Sequence, residues 1–378
     1  MFTRPNRFWA LRRCLPPALI GLLLVDVAVS CRERVRTVTI DNVAPRRDVN
    51  GQILDAHDGC LQLFNGQFYL YGTAYGTNNG YTPANRYRVY SSPDLEHWTL
   101  VGDLFRQQPV GVYYRPYVVF NSMTRKFVLW YNWYPDRWRG CAAVAVSDSP
   151  TGPFQIVSTN IQLSCKHPGD GSLFVDDDGT GYYIYTAIDK GYNIRIDRLT
   201  PDFLLSTGES CSLNTSGYES PVLFRRGNRY YALCGQRCTF CPGGSDIIVN
   251  TSTSPLGPYD RWPDYNKVEN ASDDVDITNN VSTVYGPSGK YEYTNSDMAI
   301  HFNAPKIHAQ ETWVAKIPTP DGRLLMWMAD RWQSTPDGVK GHDFQFWAPM
   351  QFSWYDSTIL PVQNSNQWSI TVDLSRGK

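Results

Sequence analysis

Short aromatic stretches alternate with polar turns along most of the chain, a pattern typical of β-strands joined by tight turns. Five units each begin with a polar turn and continue into an apolar, aromatic strand; the turns start at Asn65, Thr124, Asp178, Gly227 and Asp321. The first four starts lie 59, 54 and 49 residues apart. This spacing matches one four-stranded β-propeller blade per unit. No helical period is long enough to predict a helical domain.

The repeat therefore predicts an all-β fold, a five-bladed β-propeller. Several units continue into a second strand, as in residues 144–154 (VAVSDSPTGPF), a pattern that a β-sandwich would not repeat. The step from the fourth to the fifth turn is 94 residues. Residues 260–305 are thus predicted to form a long inserted loop at the rim. We expect a signal peptide over 1–30, a lead-in over 31–50 and the propeller over 51–378.

The N-terminal residues have the pattern of a secretory signal. Four arginines within the first 13 residues precede an apolar run from Ala18 to Val25. Ala28 and Ser30 then form a small-x-small cleavage site. The run is short for a membrane span, which needs about 20 residues. We expect a secreted protein; the alternative is an uncleaved anchor that holds the chain in the secretory lumen.

Cysteines and sequons fit export. Eight cysteines follow the signal, and an even count in an exported chain predicts disulfides without fixing their pairing. The spacing of Cys234, Cys238 and Cys241 lacks a second cluster that would complete a zinc site. Four Asn-x-Ser/Thr sequons predict glycosylation at Asn214, Asn250, Asn270 and Asn280.

The composition favours some classes of binding partner and excludes others. Aromatic residues make up 14% of the chain, with 24 Tyr and 12 Trp, which suits strand packing and sugar stacking alike. The net charge is −1 and no basic run follows the first 46 residues, so the clustered cationic face of a nucleic-acid binder is missing. Residues 176–178 (DDD) are interpreted as turn carboxylates rather than a calcium site. We expect a monomer that needs no cofactor or metal and does not contact membranes after signal cleavage.

Ordered motifs between about Ile53 and Phe352 resemble glycoside hydrolase family 43, especially its exo-β-1,3-galactanase-like branch. They are residues 56–59 (AHDG), 115–116 (RP), 170–179, 219–224 (ESPVLF), 310–313 and 330–332 (DRW). The resemblance implies a secreted enzyme that hydrolyses O-glycosidic bonds in a galactose-containing β-glycan such as arabinogalactan, with inversion and from the chain end.

Inverting hydrolysis needs an acid at the glycosidic oxygen and an activated water on the opposite face of the sugar. A propeller presents the first residues of its inner strands around one axial pocket, so catalytic carboxylates should open blades. Glu219 opens the fourth unit in a mostly uncharged stretch, and the resemblance implies that it is the proton donor. The resemblance also implies that Asp170 orients this donor and tunes its pKa, and that Gln310 holds the water.

The residues expected to activate the water differ from those of most family members. His57 stands where other members carry an Asp base; Asp58 is one residue out of register, so strand alternation should turn it to another face. It is kept as an alternative base. Tyr114 replaces the Glu that the branch carries before Arg115, and Thr73 replaces another polar contact. We expect His57, Arg115 and Arg331 to converge with the catalytic residues near the axis. The residues expected to contact the sugar are His57, Asp58, Tyr114, Arg115, Trp138, Asn193, Arg331 and Trp332.

These departures leave two alternatives open. One is a catalytically weak propeller that binds glycans as a lectin. The other is an α-L-arabinofuranosidase or β-xylosidase, against which the loss of the Asp base at His57 argues. Retention of Glu219, Asp170 and Gln310 together favours an enzyme.

Overall fold

The computed structural model describes residues 35–376, apart from 137–138, 238, 243, 246, 262–284, 287–288, 291–306, 355–356 and 361. The described residues are nearly all in strands, loops and turns. Their helical segments are short 3₁₀ turns at Ile188–Lys190, Lys340–His342 and Leu374–Arg376.

Five antiparallel sheets follow one another along the chain, and in each the strands pair in sequence order. Blade I comprises β2 (His57–Phe64), β3 (Gln67–Ala74), β4 (Arg86–Ser92) and β5 (Thr99–Asp103). Blade II comprises β6 (Val112–Asn121), β7 (Lys126–Tyr134), β8 (Cys141–Ser147) and β9 (Gln155–Ser158). Blade III comprises β10 (Pro168–Val175), β11 (Gly181–Ala187), β12 (Asn193–Leu199) and β13 (Ser206–Ser212).

Blade IV comprises β14 (Tyr218–Arg226), β15 (Arg229–Gln236), β16 (Ile247–Ser252) and β17 (Asp260–Arg261). Two short strands, β18 (Tyr285–Gly286) and β19 (Gly289–Lys290), pair with each other. Blade V comprises β20 (Gln310–Thr319), β21 (Gly322–Arg331) and β22 (Phe344–Pro349). The predicted five-bladed β-propeller is confirmed.

The first strand of each blade lies innermost. β2, β6, β10, β14 and β20 contact one another in this order, and β20 returns to β2, which closes the ring. The ends of the described chain meet at this closure, where β1 (Val35–Asp41) pairs antiparallel with β23 (Gln367–Asp373). The side chain of Asn42 accepts the backbone N–H of Trp347 at 2.9 Å and donates to its carbonyl at 2.9 Å, which fastens this pair to blade V.

The inner and central strands of each blade are apolar and aromatic because neighbouring blades cover both of their faces. Every residue of β11, for example, is buried. Large aromatics fill the space between blades: Trp130 and Trp327 are fully buried, and the indole of Trp130 donates to the Phe203 carbonyl at 2.7 Å. The predicted turns lie in the hairpins between the first two strands of each blade. At the first, Asn65 and Gly66 both have φ in the left-handed region, as a tight hairpin turn requires.

A β-bulge interrupts the first strand of all five blades near its beginning. The register shifts fall between His57 and Cys60, Tyr114 and Tyr117, Pro168 and Gly171, Glu219 and Val222, and Glu311 and Trp313. A bulge inserts an unpaired residue and re-aims the side chains beside it. Because the five bulges occur at equivalent places, they direct five sets of side chains toward the axis at one end of the ring.

Glycosylation is accessible at only one of the two described sequons. Asn214 is exposed, so its glycosylation stays a prediction. Asn250 is 1% exposed within β16, and its amide donates to the Ala232 carbonyl at 3.4 Å. A glycan cannot be attached there without opening the sheet, so that prediction is wrong. Asn270, Asn280, most of the inserted loop and the signal segment lie outside the described residues.

The predicted disulfide framework is wrong for at least four cysteines. Cys60, Cys141, Cys165 and Cys211 have free thiols. Cys60 is buried in β2, where desolvation raises its pKa to about 12. Cys60, Cys141 and Cys211 lie in strands of blades I, II and III, whereas Cys165 lies in the loop before β10.

Within the described residues, no group of three or more His, Cys, Asp or Glu side chains is arranged to hold a metal ion. Asp176 is buried rather than solvated, in contrast to the turn carboxylate expected there. It accepts hydrogen bonds from Arg225 at 2.8 Å and from the Tyr230 hydroxyl at 2.5 Å, which joins blades III and IV. A search of the same part of the chain for a helix long and apolar enough to cross a bilayer finds none.

Candidate active site

A pocket of about 600 Å³ opens at the end of the axis where the bulges lie. All five blades contribute to its wall. Its charged lining residues are Asp58, Arg115, Asp136, Asp170 and Glu219, and its aromatic ones are Tyr81, Tyr114, Tyr134, Tyr192 and Phe240. A concave site of this size with aromatic walls and a few converging polar groups is typical of small-ligand and substrate pockets.

Glu219 and Gln310 meet on the wall formed by blades IV and V. Glu219 is the second residue of β14, Gln310 the first of β20, and they are 7% and 3% exposed. The Gln310 amide nitrogen donates to Glu219 Oε1 at 2.9 Å and to Ser220 Oγ at 2.8 Å. Its oxygen accepts the indole N–H of Trp332 at 2.7 Å. Both amide hydrogens are therefore used, and the oxygen keeps one lone pair for a water.

Asp170 and Arg115 form an ion pair on the neighbouring wall. Arg115 Nε lies 3.2 Å from Asp170 Oδ2, and its Nη2 donates to Ser220 Oγ at 2.7 Å. Ser220 in turn donates to Asp170 at 3.0 Å. Burial alone would lower the pKa of Arg115, but Asp170 and the other acidic neighbours raise it well above its usual range, so the guanidinium stays charged. Ser220 thus links the Asp170 pair to Gln310 and, through it, to Glu219.

Asp58 faces this pocket, although strand alternation predicted another face. The bulge in β2 gives Asp58 a φ of 60° and turns its carboxylate inward. It is 4% exposed, accepts a hydrogen bond from the Tyr75 hydroxyl, and lies 3.8 Å from Arg115 Nη2. Burial raises its pKa to about 6, with Asp330 adding to the rise and Arg115 opposing it.

His57 lies behind the pocket wall instead of lining it, so its expected sugar contact is wrong. It is 1% exposed, and its Nδ1 is 3.1 Å from Asp330 Oδ1. The other Asp330 oxygen accepts the backbone N–H of Asp58 at 2.7 Å. Burial lowers the pKa of His57, but Asp330, with Asp55 and Asp343, more than offsets this and raises it to about 9. The imidazolium–carboxylate pair therefore fixes the bulge from beneath.

Three rings form an aromatic cage around the ammonium group of Lys340. The Lys340 Nζ lies 3.5 Å from the ring centroid of Phe240, 3.8 Å from that of Trp332 and 4.8 Å from that of Tyr75. Burial lowers the pKa of Lys340 to about 8, with Asp58 as the strongest opposing charge. Trp332 and Tyr75 each hold a pocket residue by a hydrogen bond, so the cage supports Gln310 and Asp58 from behind.

Of the remaining residues expected to contact the sugar, Tyr114 lines the pocket, whereas Trp332, Asn193 and Arg331 do not. Tyr114 lines the pocket, but its hydroxyl donates to the Gly80 carbonyl at 2.7 Å. Trp332 acts one layer behind the wall. Asn193 points away, since its amide donates to the Thr215 carbonyl at 2.7 Å. Arg331 donates to the Asn42 carbonyl at 3.1 Å on the side of the terminal strands, so its expected convergence is wrong. Trp138 lies outside the described residues.

Sequence reasoning missed several residues at the site. Tyr134 and Phe240, which line the pocket, were not expected to participate. Ser220 and Glu311, which are fully buried, were noted only within motifs. Ser220 could have been found from its place beside Glu219 at a bulge, where it shares a left-handed φ with Asp58. Phe240 follows no strand pattern and had no comparable signal.

The family model described as Glycosyl hydrolases family 43 matches residues 53–295, more than half of the chain. The chain belongs to this family. In fold it is similar to an exo-β-1,3-galactanase from Phanerochaete chrysosporium with bound β-1,3-galactotriose, with a TM-score of 0.68, 21% identity, and coverage of 90% of this chain and 69% of that chain. A family 43 β-1,3-galactosidase gives a TM-score of 0.67 and 22% identity, covering 88% of this chain and 64% of that one.

In sequence, this family 43 chain is 24% identical to an arabinoxylan arabinofuranohydrolase from Bacillus subtilis (strain 168), over 64% of its own length and 56% of that protein. It thus spans about half the length of that relative. The family that the motifs resembled is confirmed, and it is a family of glycosyl hydrolases.

Proposed function

We propose that the protein is a secreted, inverting glycoside hydrolase that removes terminal sugars from a galactose-containing β-glycan. The observation that carries the proposal is the position of Glu219 in the axial pocket, hydrogen-bonded to Gln310 and linked through Ser220 to Asp170. A buried carboxyl group that accepts a hydrogen bond from a neutral amide and opens into a sugar-sized cavity can protonate a glycosidic oxygen. The N-terminal signal pattern supports export.

In this mechanism the substrate's anomeric carbon lies beside Glu219, whose proton goes to the departing oxygen as the glycosidic bond breaks. Arg115 and Asp170 hold Ser220, which keeps Gln310 and hence the Glu219 carboxyl in a fixed orientation. Galactose as the sugar is supported by the galactan-type relatives, which share the fold. The arabinofuranohydrolase relative keeps arabinose on the list of substrates to test.

The test is Glu219→Gln, measured on an unactivated β-galactobiose and on an aryl β-galactoside. We expect kcat to fall about 10²–10⁴-fold on the disaccharide and clearly less on the aryl substrate, because an activated leaving group needs little protonation. Glu209→Gln is the matched control, since Glu209 is exposed and its ion pair with Arg198, at 3.1 Å, lies on the surface. NMR of the first-formed product anomer checks inversion.

Equal losses on both substrates would remove Glu219 from the donor role. The lectin alternative rests on Tyr114, which replaces a Glu of the galactanase-like branch and whose hydroxyl is already donated to the Gly80 carbonyl at 2.7 Å. A wild-type protein that binds galactan but hydrolyses neither galactosides, arabinosides nor xylosides would establish that alternative.

A further inference from the structure

The solvent-exposed end of the axial pocket, its mouth, is apolar on one side. The side chains that line it there form the apolar rim, which comprises Tyr81, Pro83, Val110, Val112 and Pro135. They come from the β3–β4 loop, the β5–β6 loop, the start of β6 and the residue after β7, so blades I and II supply the rim. Val110 is 88% exposed and Tyr81 is 48% exposed. Exposed apolar residues that gather at one wall of a pocket are typical of ligand-binding grooves.

Hydrogen bonds hold the loops of the rim in place. The amide of Asn85, which is fully buried, donates to the Gly80 carbonyl at 3.0 Å and to the Tyr113 carbonyl at 3.2 Å. These two bonds join the β3–β4 loop to β6. The Gln108 amide donates to the Asn85 carbonyl at 2.7 Å, which joins the β5–β6 loop to the same point. Because the rim is preformed, a ligand does not have to order these loops when it binds.

Polar side chains beside the rim are already engaged. The Asn79 side-chain oxygen accepts the backbone N–H of Tyr81 at 3.0 Å, and Asp136 forms an ion pair with Arg139. Valine and proline side chains have no hydrogen-bonding atoms. A second sugar on the rim would therefore exchange hydrogen bonds with water for apolar contacts, which is unfavourable. An alkyl or aryl group in the same place would leave water for an apolar surface, which is favourable.

The rim faces the part of the substrate that departs. Glu219 and Gln310 are 7% and 3% exposed, so the terminal sugar has to enter to their depth and the group attached to it extends toward the mouth. The glycosidic oxygen has to contact Glu219 on blade IV, and in the ring blade IV lies opposite the junction of blades I and II. A group that leaves the pocket from this oxygen therefore crosses the mouth toward the rim.

We infer a further activity, which rests on the proposed function: the enzyme also hydrolyses glycosides in which the same terminal sugar is attached to an apolar alcohol, whose alkyl or aryl group lies on the rim. The bond between the anomeric carbon and the glycosidic oxygen breaks with its electron pair on the oxygen, which takes the proton of Glu219 and leaves as the free alcohol. The oxygen of one water bonds to the anomeric carbon. The proton that this water loses restores the Glu219 carboxyl through solvent.

The test compares the β-galactosides of methanol, butanol, hexanol, octanol and phenylethanol, each below its critical micelle concentration. These alcohols have nearly equal acidity, so differences in kcat/KM report contact with the apolar group. We expect kcat/KM to rise about twofold for each methylene from butyl to octyl, which is about half of the free energy of full burial. A higher value for octyl than for phenylethyl assigns an alkyl ligand to the rim, and the reverse order assigns an aryl ligand; either supports the inference.

Val110→Ser tests the rim itself, and Val157→Ser is the matched control. Val157 is a 51% exposed valine of β9 that does not line the pocket. We expect the ratio of kcat/KM for octyl to that for methyl galactoside to fall about threefold in Val110→Ser, because two methyl groups of the rim are lost. The ratio should keep its wild-type value in Val157→Ser. Circular dichroism and thermal melting establish that both variants are folded.

Three results would overturn the inference while leaving the proposed function intact. These are a wild type that cleaves β-galactobiose but gives equal kcat/KM for methyl and octyl galactoside, a ratio that Val110→Ser does not change, and an equal fall of the ratio in Val157→Ser. A wild type that hydrolyses neither β-galactobiose nor any of these galactosides refutes the proposed function, and this activity with it.

Discussion

The buried pair of His57 and Asp330 makes the stability of the protein depend on pH in a defined direction. The folded pKa of His57 is about 9, compared with an ordinary value of about 6.5. A group whose pKa is raised by folding stabilises the fold fully below its unfolded pKa, and this stabilisation is lost as pH rises through the folded value. The shift corresponds to about 3 kcal/mol below pH 6.5, of which about half is lost by pH 8.

The perturbation is His57→Asn, which keeps a donor near Asp330 but cannot take up a proton. Urea unfolding, followed by tryptophan fluorescence, gives the free energy of unfolding of both proteins at pH 6.5 and pH 8. We expect the wild type to lose about 1–2 kcal/mol more than the variant between these two pH values. Other groups titrate in both proteins and cancel in the difference.

His97→Asn is the matched control, because His97 also pairs with a carboxylate, Asp94 at 2.9 Å, but its side chain is 55% exposed. Its pH dependence should follow that of the wild type, since exposed pairs contribute little. Parallel pH dependence of wild type and His57→Asn would refute the argument that the buried ring is charged in the folded protein.

Two further outcomes follow from charges around the site. Lys340→Ala should lower the free energy of unfolding by about 1–2 kcal/mol, because the aromatic cage loses its cation. Lys340→Arg keeps a cation and should lower it much less. Equal losses for the two variants in urea titrations would contradict a cation–π contribution. Burial raises the pKa of Glu311 well above its usual range, which favours the protonated form, so Glu311→Gln should cost less than about 1 kcal/mol; a loss above about 2 kcal/mol would mean that the carboxylate is charged.

The blades were predictable from the sequence because each turn and the strand after it repeat one local solution. Strands covered on both faces require aromatic and apolar residues at nearly every position, and hairpins such as the one at Asn65 and Gly66 require residues that accept left-handed φ. The repeat also predicted that Arg115, Asp170 and Glu219 begin their blades and face the pocket, since equivalent positions in a ring face one axis.

The wrong predictions for the site have two causes: β-bulges, and polar side chains that are hydrogen-bonded within the protein. Strand alternation placed His57 in the pocket and Asp58 away from it, whereas one inserted residue exchanged them. Arg331 and Asn193 carry polar groups that the sequence cannot distinguish from ligands, yet both are used by neighbouring backbone carbonyls. Asn250 satisfies a sequon, but a three-residue motif contains no information about burial.

Ring closure through β1 and β23 has a consequence for the order of folding. The contact between His57 and Asp330 spans 273 positions, and Gln310 reaches Glu219 across 91. Contacts of such separation form slowly, because the entropy of closing long loops has to be overcome before they stabilise the chain. Blades I to IV can pair their strands locally, whereas the wall between blades IV, V and I is completed only at closure. The pocket is therefore completed last, and a chain with four folded blades still lacks the wall that carries Gln310.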